Sequence, residues 1–148
     1  MSQDPHARAV AAYHRGLENL PKIDQLVLLY DAALARVREA EAACREGRIE
    51  ARFRASLKAT AILEGLQGAL DREAGGEIAG NLERIYTYLM LRLQEANVRS
   101  EPAIFREVAE RLAELRSAWA RLADRPAHAE TGAVPSRDPS GAGAAILA

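Results

Sequence analysis

The chain predicts an all-α protein, an antiparallel up-down four-helix bundle with a flexible N-terminal segment and a disordered C-terminal tail. Three observations predict it. Aromatic residues make up only 5% of the sequence while Ala, Leu, Glu and Arg dominate, a palette of helix formers that disfavours a sheet. Apolar residues recur at three- and four-residue steps through four successive segments. Short connections between those segments favour antiparallel neighbours. With 148 residues the chain is one domain by size. The expected organisation is a flexible segment over 1–18, the bundle over 19–124 and a disordered tail over 125–148.

Residues 1–18 are weakly patterned, and Gly16 followed by Asn19-Leu20-Pro21 marks a boundary where proline can occupy a first helical turn. From there Ile23, Leu26, Tyr30, Ala33, Leu34, Val37, Ala40 and Cys44 fall on one side, and Gly47 offers a stop. The second helix, from about Ile49 to Leu70, carries two stripes. Ala55, Ala59, Ile62, Leu63, Leu66 and Leu70 form one; Phe53, Leu57 and Ala61 form another nearly opposite, which a single bundle interior cannot cover. The third helix follows Gly75-Gly76, with Ile78, Leu82, Ile85, Tyr86, Leu89, Leu93 and Ala96 inward and Tyr88 and Leu91 outside the stripe. Ser100 can cap the fourth helix, with Pro102 in its first turn and Ile104, Val108, Leu112, Leu115, Trp119 and Leu122 as its buried face. Beyond Asp124, Pro, Gly, Ala and Ser prevail, with too few bulky side chains to offset the entropy of ordering.

Charge and cysteine usage exclude several functions. Lys and Arg total 20 against 21 for Asp and Glu, so no global field draws phosphate or an anionic bilayer, and nucleic acid is not an expected partner. Cys44 stands alone, so no intramolecular disulfide is possible. The N-terminus lacks the apolar core of a signal peptide, and no segment is apolar for long enough to insert in a membrane; a cytoplasmic protein is expected.

Reactive clusters are missing from the pattern as well. A di-iron or di-manganese bundle needs inward Glu-x-x-His pairs. Here His6 and His14 precede the first long helix and His128 lies in the tail, so no metal is expected. Cys44 reads as a small buried hydrophobe rather than a nucleophile. Gly75-Gly76 has no preceding strand and no Lys-Ser/Thr pair, so it reads as a turn rather than a phosphate cradle. Arg36, Arg38, Arg84, Arg92 and Arg111 would have to converge for an anion-binding mutase, and their helical phase puts them on solvated faces among glutamates. No catalytic residue and no cofactor is therefore expected. The surplus is apolar: Leu28 on the back of helix one, Phe53 and Leu57 on the back of helix two, and Tyr88 with Leu91 beside helix three. Adjacent residues of this kind would form a groove for an amphipathic helix or extended segment of another chain.

With those residues in view, the sequence resembles the flagellin export chaperone family, the FliS-like proteins, from about Tyr13 to Leu122. The resemblance rests on Leu29-Tyr30-Asp31-Ala32-Ala33, on the spaced Ile62, Leu66 and Leu70, on Gly75-Gly76-Glu77-Ile78-Ala79 through Asn81-Leu82 and Ile85-Tyr86 to Glu95-Ala96-Asn97, and on Trp119. It implies a cytoplasmic bundle that binds the disordered C-terminal region of flagellin, blocks premature polymerisation and delivers the subunit to the flagellar type III export apparatus. It also implies that Tyr13 lies in a movable N-terminal cover over the groove. The expected partner-binding set is thus Tyr13, Leu28, Tyr30, Phe53, Leu57, Ile62, Leu66, Tyr88 and Leu91. An export-gate component or an anti-sigma factor is a further candidate partner. The alternative is a helical adaptor or homodimeric assembly protein without a flagellin client.

Overall fold

The structure is a computed structural model and describes residues 22–124 together with Pro5. The expectations for the segment 1–18, including the Tyr13 cover, and for the tail 125–148 lie outside the described residues. Four helices follow one another: α1 (Lys22–Arg45), α2 (Ile49–Gly68), α3 (Arg72–Arg99) and α4 (Pro102–Ala123). The short connections reverse the chain each time. In the resulting ring α1 packs on α2 and α4, and α3 packs on the same two from the other side. This is the all-helical four-helix bundle the periodicity predicts.

Each boundary has a local cause. α1 stops where Gly47 takes a φ of +71°, so that the Arg48 amide reaches the Ala43 carbonyl and the Gly47 amide the Cys44 carbonyl, at 2.9 and 3.2 Å. That pair of bonds is a Schellman closure, which a residue without Cβ enters at little cost. α3 begins earlier than the glycine pair suggests. The Asp71 carboxylate accepts from the Ala74 amide at 3.0 Å and caps a single turn before the break at Gly76, where φ is +54° and ψ is −127°. The long run starts beyond that bend.

The turn between α3 and α4 corrects a second expectation. Ser100 does not cap α4; it closes α3 in the left-handed region, with φ of +51° and ψ of +46°. Glu101 is the residue before α4, without a side-chain cap, and Pro102 occupies the first turn as predicted. A non-glycine residue in that region costs about 1–2 kcal/mol. Arg52 offsets it: its Nη1 donates to the Ser100 hydroxyl at 2.8 Å and its Nε to Asn97 Oδ1 at 3.1 Å. The Arg52 side chain is buried, with its charge beside the negative end of the α3 dipole.

The core follows the expected stripes with three differences. Ile78 is exposed at 48% because it follows directly on the Gly76 bend, where the helix has not yet turned its apolar face inward. Phe105 and Ala109 join Ile104, Val108 and Leu112 inside, widening the buried face of α4. Cys44 is half-buried against the cluster. Across the middle, the hydroxyls of Tyr30 and Tyr86 share a hydrogen bond of 2.6 Å, their rings 6.5 Å apart and tilted by 44°. Burial raises both phenol pKa values above their ordinary range.

Helix spacing is unequal, and the sequence shows why. α1 buries Ala33, Ala40 and Ala43 among its larger side chains, α2 buries Ala55 and Ala59 and α4 buries Ala109, and α1 packs more closely on α2 and α4 than α3 does. α3 instead contributes Leu82, Tyr86, Leu89 and Leu93, and sits farther out. Large side chains hold helices apart, and the space between them opens at the surface.

Candidate functional site

Two apolar openings lie on either side of α3. One groove, between α2 and α3, holds about 350 Å³ and is lined by Phe53, Leu57, Thr60, Leu93, Asn97 and Val98, with Ser56 and Gln94 completing it. Phe53 is exposed at 45%, Leu57 at 68% and Val98 at 86%. The Phe53 ring carries the Arg52 guanidinium 4.9 Å from its centroid, a stacked cation at the groove's end. The Ser56 hydroxyl is buried in the groove's wall with no hydrogen-bond partner among the described residues.

The second groove, between α3 and α4, holds about 400 Å³. Ile85, Leu89, Leu115 and Ala118 make its apolar floor, Tyr88 one edge, and Arg111 with Glu114 the other. Tyr88 is held in place: its hydroxyl donates to Glu107 at 2.6 Å, and Arg92 bridges the other Glu107 oxygen and Glu95, both at 2.6 Å. The Arg92 guanidinium, and after it the Tyr88 hydroxyl, hold the Glu107 carboxyl below its usual range. Thus α3 is tied to α4 by charge toward the Ser100 end and stands open toward the other.

The two grooves are offset along α3 by about eight residues, roughly 12 Å at 1.5 Å per residue. Between them in helical phase lies Leu91, exposed at 59%. The two grooves are therefore separate openings on either flank of α3, with the exposed Leu91 between them and Gln94 and the ion-paired Glu95 between Leu91 and Val98.

The expected partner-binding residues divide into three groups. Phe53 and Leu57 line the α2–α3 groove, Tyr88 edges the α3–α4 groove, and Leu91 is exposed on α3 between the two. Leu28 is exposed at 41% but borders a different depression, between α1 and α4, beside the Asp31–Arg116 ion pair of 2.7 Å. Tyr30 and Leu66 lie in the core, 0% and 2% exposed, on the inward stripes that the periodicity gives them, and Ile62 is partly buried against the same cluster. Sequence reasoning missed Val98 and Leu115 as groove residues. Val98 could have been found, since it lies about two turns beyond Leu91 at the same phase within about 20°.

The arginines considered for an anion site do not converge. Arg36 pairs with Glu39 at 2.8 Å, Arg84 with Asn81, and Arg111 with Glu114 at 3.6 Å, each within its own helix, whereas Arg92 bridges two helices rather than lying on a solvated face. Among the described residues no group of three or more His, Cys, Asp or Glu side chains could hold a metal ion, and no helix is long and apolar enough to cross a membrane.

What fold and surface define together is a helical scaffold that presents apolar grooves outside its own core, the form of a binding protein. The family follows from comparison: residues 7–126 match the family described as flagellar protein FliS, and the chain belongs to it. The relatives include the flagellar secretion chaperone FliSB of Pseudomonas aeruginosa, 40% identical over 92 residues, which cover 62% of this chain and 73% of the relative. The flagellar secretion chaperone FliS of Salmonella typhimurium is 33% identical over 105 residues, 70% of this chain and 78% of the relative. That of Vibrio cholerae is 30% identical over 95 residues, 64% and 70% respectively. All three relatives are named as flagellar secretion chaperones.

Proposed function

We propose that this protein is a cytoplasmic flagellar export chaperone that binds the C-terminal region of flagellin, prevents its premature polymerisation and delivers it to the export apparatus. The observation that carries this reading is the pair of apolar grooves flanking α3, with Phe53, Leu57, Tyr88, Leu91 and Val98 exposed in or beside them. A segment destined for a helical assembly is amphipathic, and laying its apolar face in the grooves removes both surfaces from water at roughly 25 cal/mol per Å². Ordering the guest opposes that gain, so affinity is moderate for the area covered and release remains feasible.

The Glu107 cluster supports the same reading. Because the α3–α4 seam is closed by charge at the Ser100 end, a guest enters the second groove from its open half, beside Ile85 and Ala118. The test is calorimetry with an isolated flagellin C-terminal peptide, accompanied by far-UV circular dichroism. Binding with a gain of helix beyond the sum of the separate spectra is the expected outcome; absence of heat at peptide concentrations of hundreds of micromolar, in order of magnitude for a moderate complex, removes the client reading.

A further inference from the structure

The α3–α4 groove lies close to where the described chain ends. From Ala118 on its floor, α4 runs to Ala123, and Asp124 is six residues, about 9 Å, beyond. Residues 125–148 follow, and the family match stops at 126, so nearly all of this segment is additional to the matched region. It is made of small residues, prolines and a few charges, with one pair of adjacent large aliphatic residues, Ile146-Leu147. The intervening 125–145 can extend to about 70 Å, several times what a return to the groove demands.

We propose that Ile146 and Leu147 seat in the α3–α4 groove of their own chain, as a tethered occupant that a guest segment must displace. The groove's apolar floor, Ile85, Leu89, Leu115 and Ala118, matches two aliphatic side chains and offers them no buried unpaired polar atom. The α2–α3 groove is a poorer match, because Ser56 lies in its wall and because it sits at the far end of the bundle from Asp124. Two aliphatic side chains bind too weakly to hold from free solution. Covalent attachment supplies an effective concentration of order millimolar, which fills the groove about half of the time. Displacement by a client rests on the function proposed above; the seating itself does not.

The experiment compares the full chain, a chain ending at residue 142, and the double variant Ile146→Ser/Leu147→Ser, each with labelled Ile and Leu methyl groups, by NMR at several dilutions. Expected are shifts of the Ile85, Leu89 and Leu115 methyls on truncation, reproduced by the serine variant, independent of dilution and without change at the core residue Leu63. The flagellin peptide should bind the truncated chain about twofold more tightly. Superimposable methyl spectra overturn the proposal, and so do groove shifts that vanish on dilution, which assign the groove to a second copy. A peptide that binds neither form removes the client reading while the methyl shifts still decide the seating.

Discussion

Replacing Phe53 and Leu57 together by alanine separates a docking surface from a core. The two side chains are exposed at 45% and 68%, so a guest can cover only those fractions of them. Burying a large apolar side chain completely is worth about 1.5–3 kcal/mol. The remaining exposure converts that to about 0.7–1.4 kcal/mol for Phe53 and about 1–2 kcal/mol for Leu57. Their sum, about 2–3 kcal/mol, is a loss of roughly 30- to 150-fold in peptide affinity. The fold should lose far less, about 1 kcal/mol, mostly the contact of the Phe53 ring with Arg52. Calorimetry with the flagellin peptide and urea denaturation of the same samples read the two quantities separately. Unchanged affinity refutes the placement of the guest in this groove, and a stability loss of about 3 kcal/mol or more, the range of a core truncation, refutes the assignment of these residues to the outside.

Three further outcomes follow from the fold. Gly76→Ala forces a side chain into a positive-φ geometry that only glycine adopts readily and should cost about 1–3 kcal/mol, read as a lowered urea midpoint, even though the site has open space for a methyl group. Arg52→Ala removes both ties to Asn97 and Ser100 and should destabilise by about 2–3 kcal/mol, with Arg52→Lys recovering only part; an unchanged midpoint refutes the role given to Arg52 in the α3–α4 turn. The Tyr30 and Tyr86 phenols have raised pKa values in the fold, chiefly through burial, so their contribution is complete below the unfolded value of about 10 and declines as pH rises through it. Tyr86→Phe should therefore flatten the fall in urea midpoint between about pH 9 and 11, and an unchanged slope would contradict the burial argument.

The helices were legible because each pairs a repeating apolar stripe with a nearby stop, as Leu26 to Val37 ending at Gly47 shows. What periodicity could not supply is distance. Tyr30, Leu66 and Leu57 all stand in regular apolar stripes, and phase alone does not tell which stripe a neighbouring helix covers. Phase separated Leu57 correctly because a second stripe on α2 exceeds what one interior can absorb, and it put Tyr30 and Leu66 on the inward stripes, where the core took them. The turn chemistry was hidden for another reason. Ser100 looks like a helix start because serine accepts amide hydrogen bonds well, yet its partner is Arg52, 48 residues away, and no local pattern signals so distant a tie.

The open surface around α3 follows from an asymmetry in residue size. Alanines on α1 let three helices close tightly, so nearly all the flexibility in spacing is left to the fourth. α3 carries Leu82, Tyr86, Leu89 and Leu93 toward the centre, all of them buried, and their bulk holds it outward. Shrinking them would not widen the grooves; it would draw α3 inward and close them, at about 2–5 kcal/mol for a leucine truncated to alanine. The bulk of the inner face of α3 therefore sets the width of the grooves on its flanks. Binding capacity on Leu91 and Tyr88 is consequently coupled to packing at Leu82 and Tyr86, two buried residues that line neither groove. A Leu82→Ala variant that remains folded should bind the flagellin peptide more weakly although neither groove's lining is changed, whereas retention of full affinity would show that the grooves do not depend on the spacing of α3.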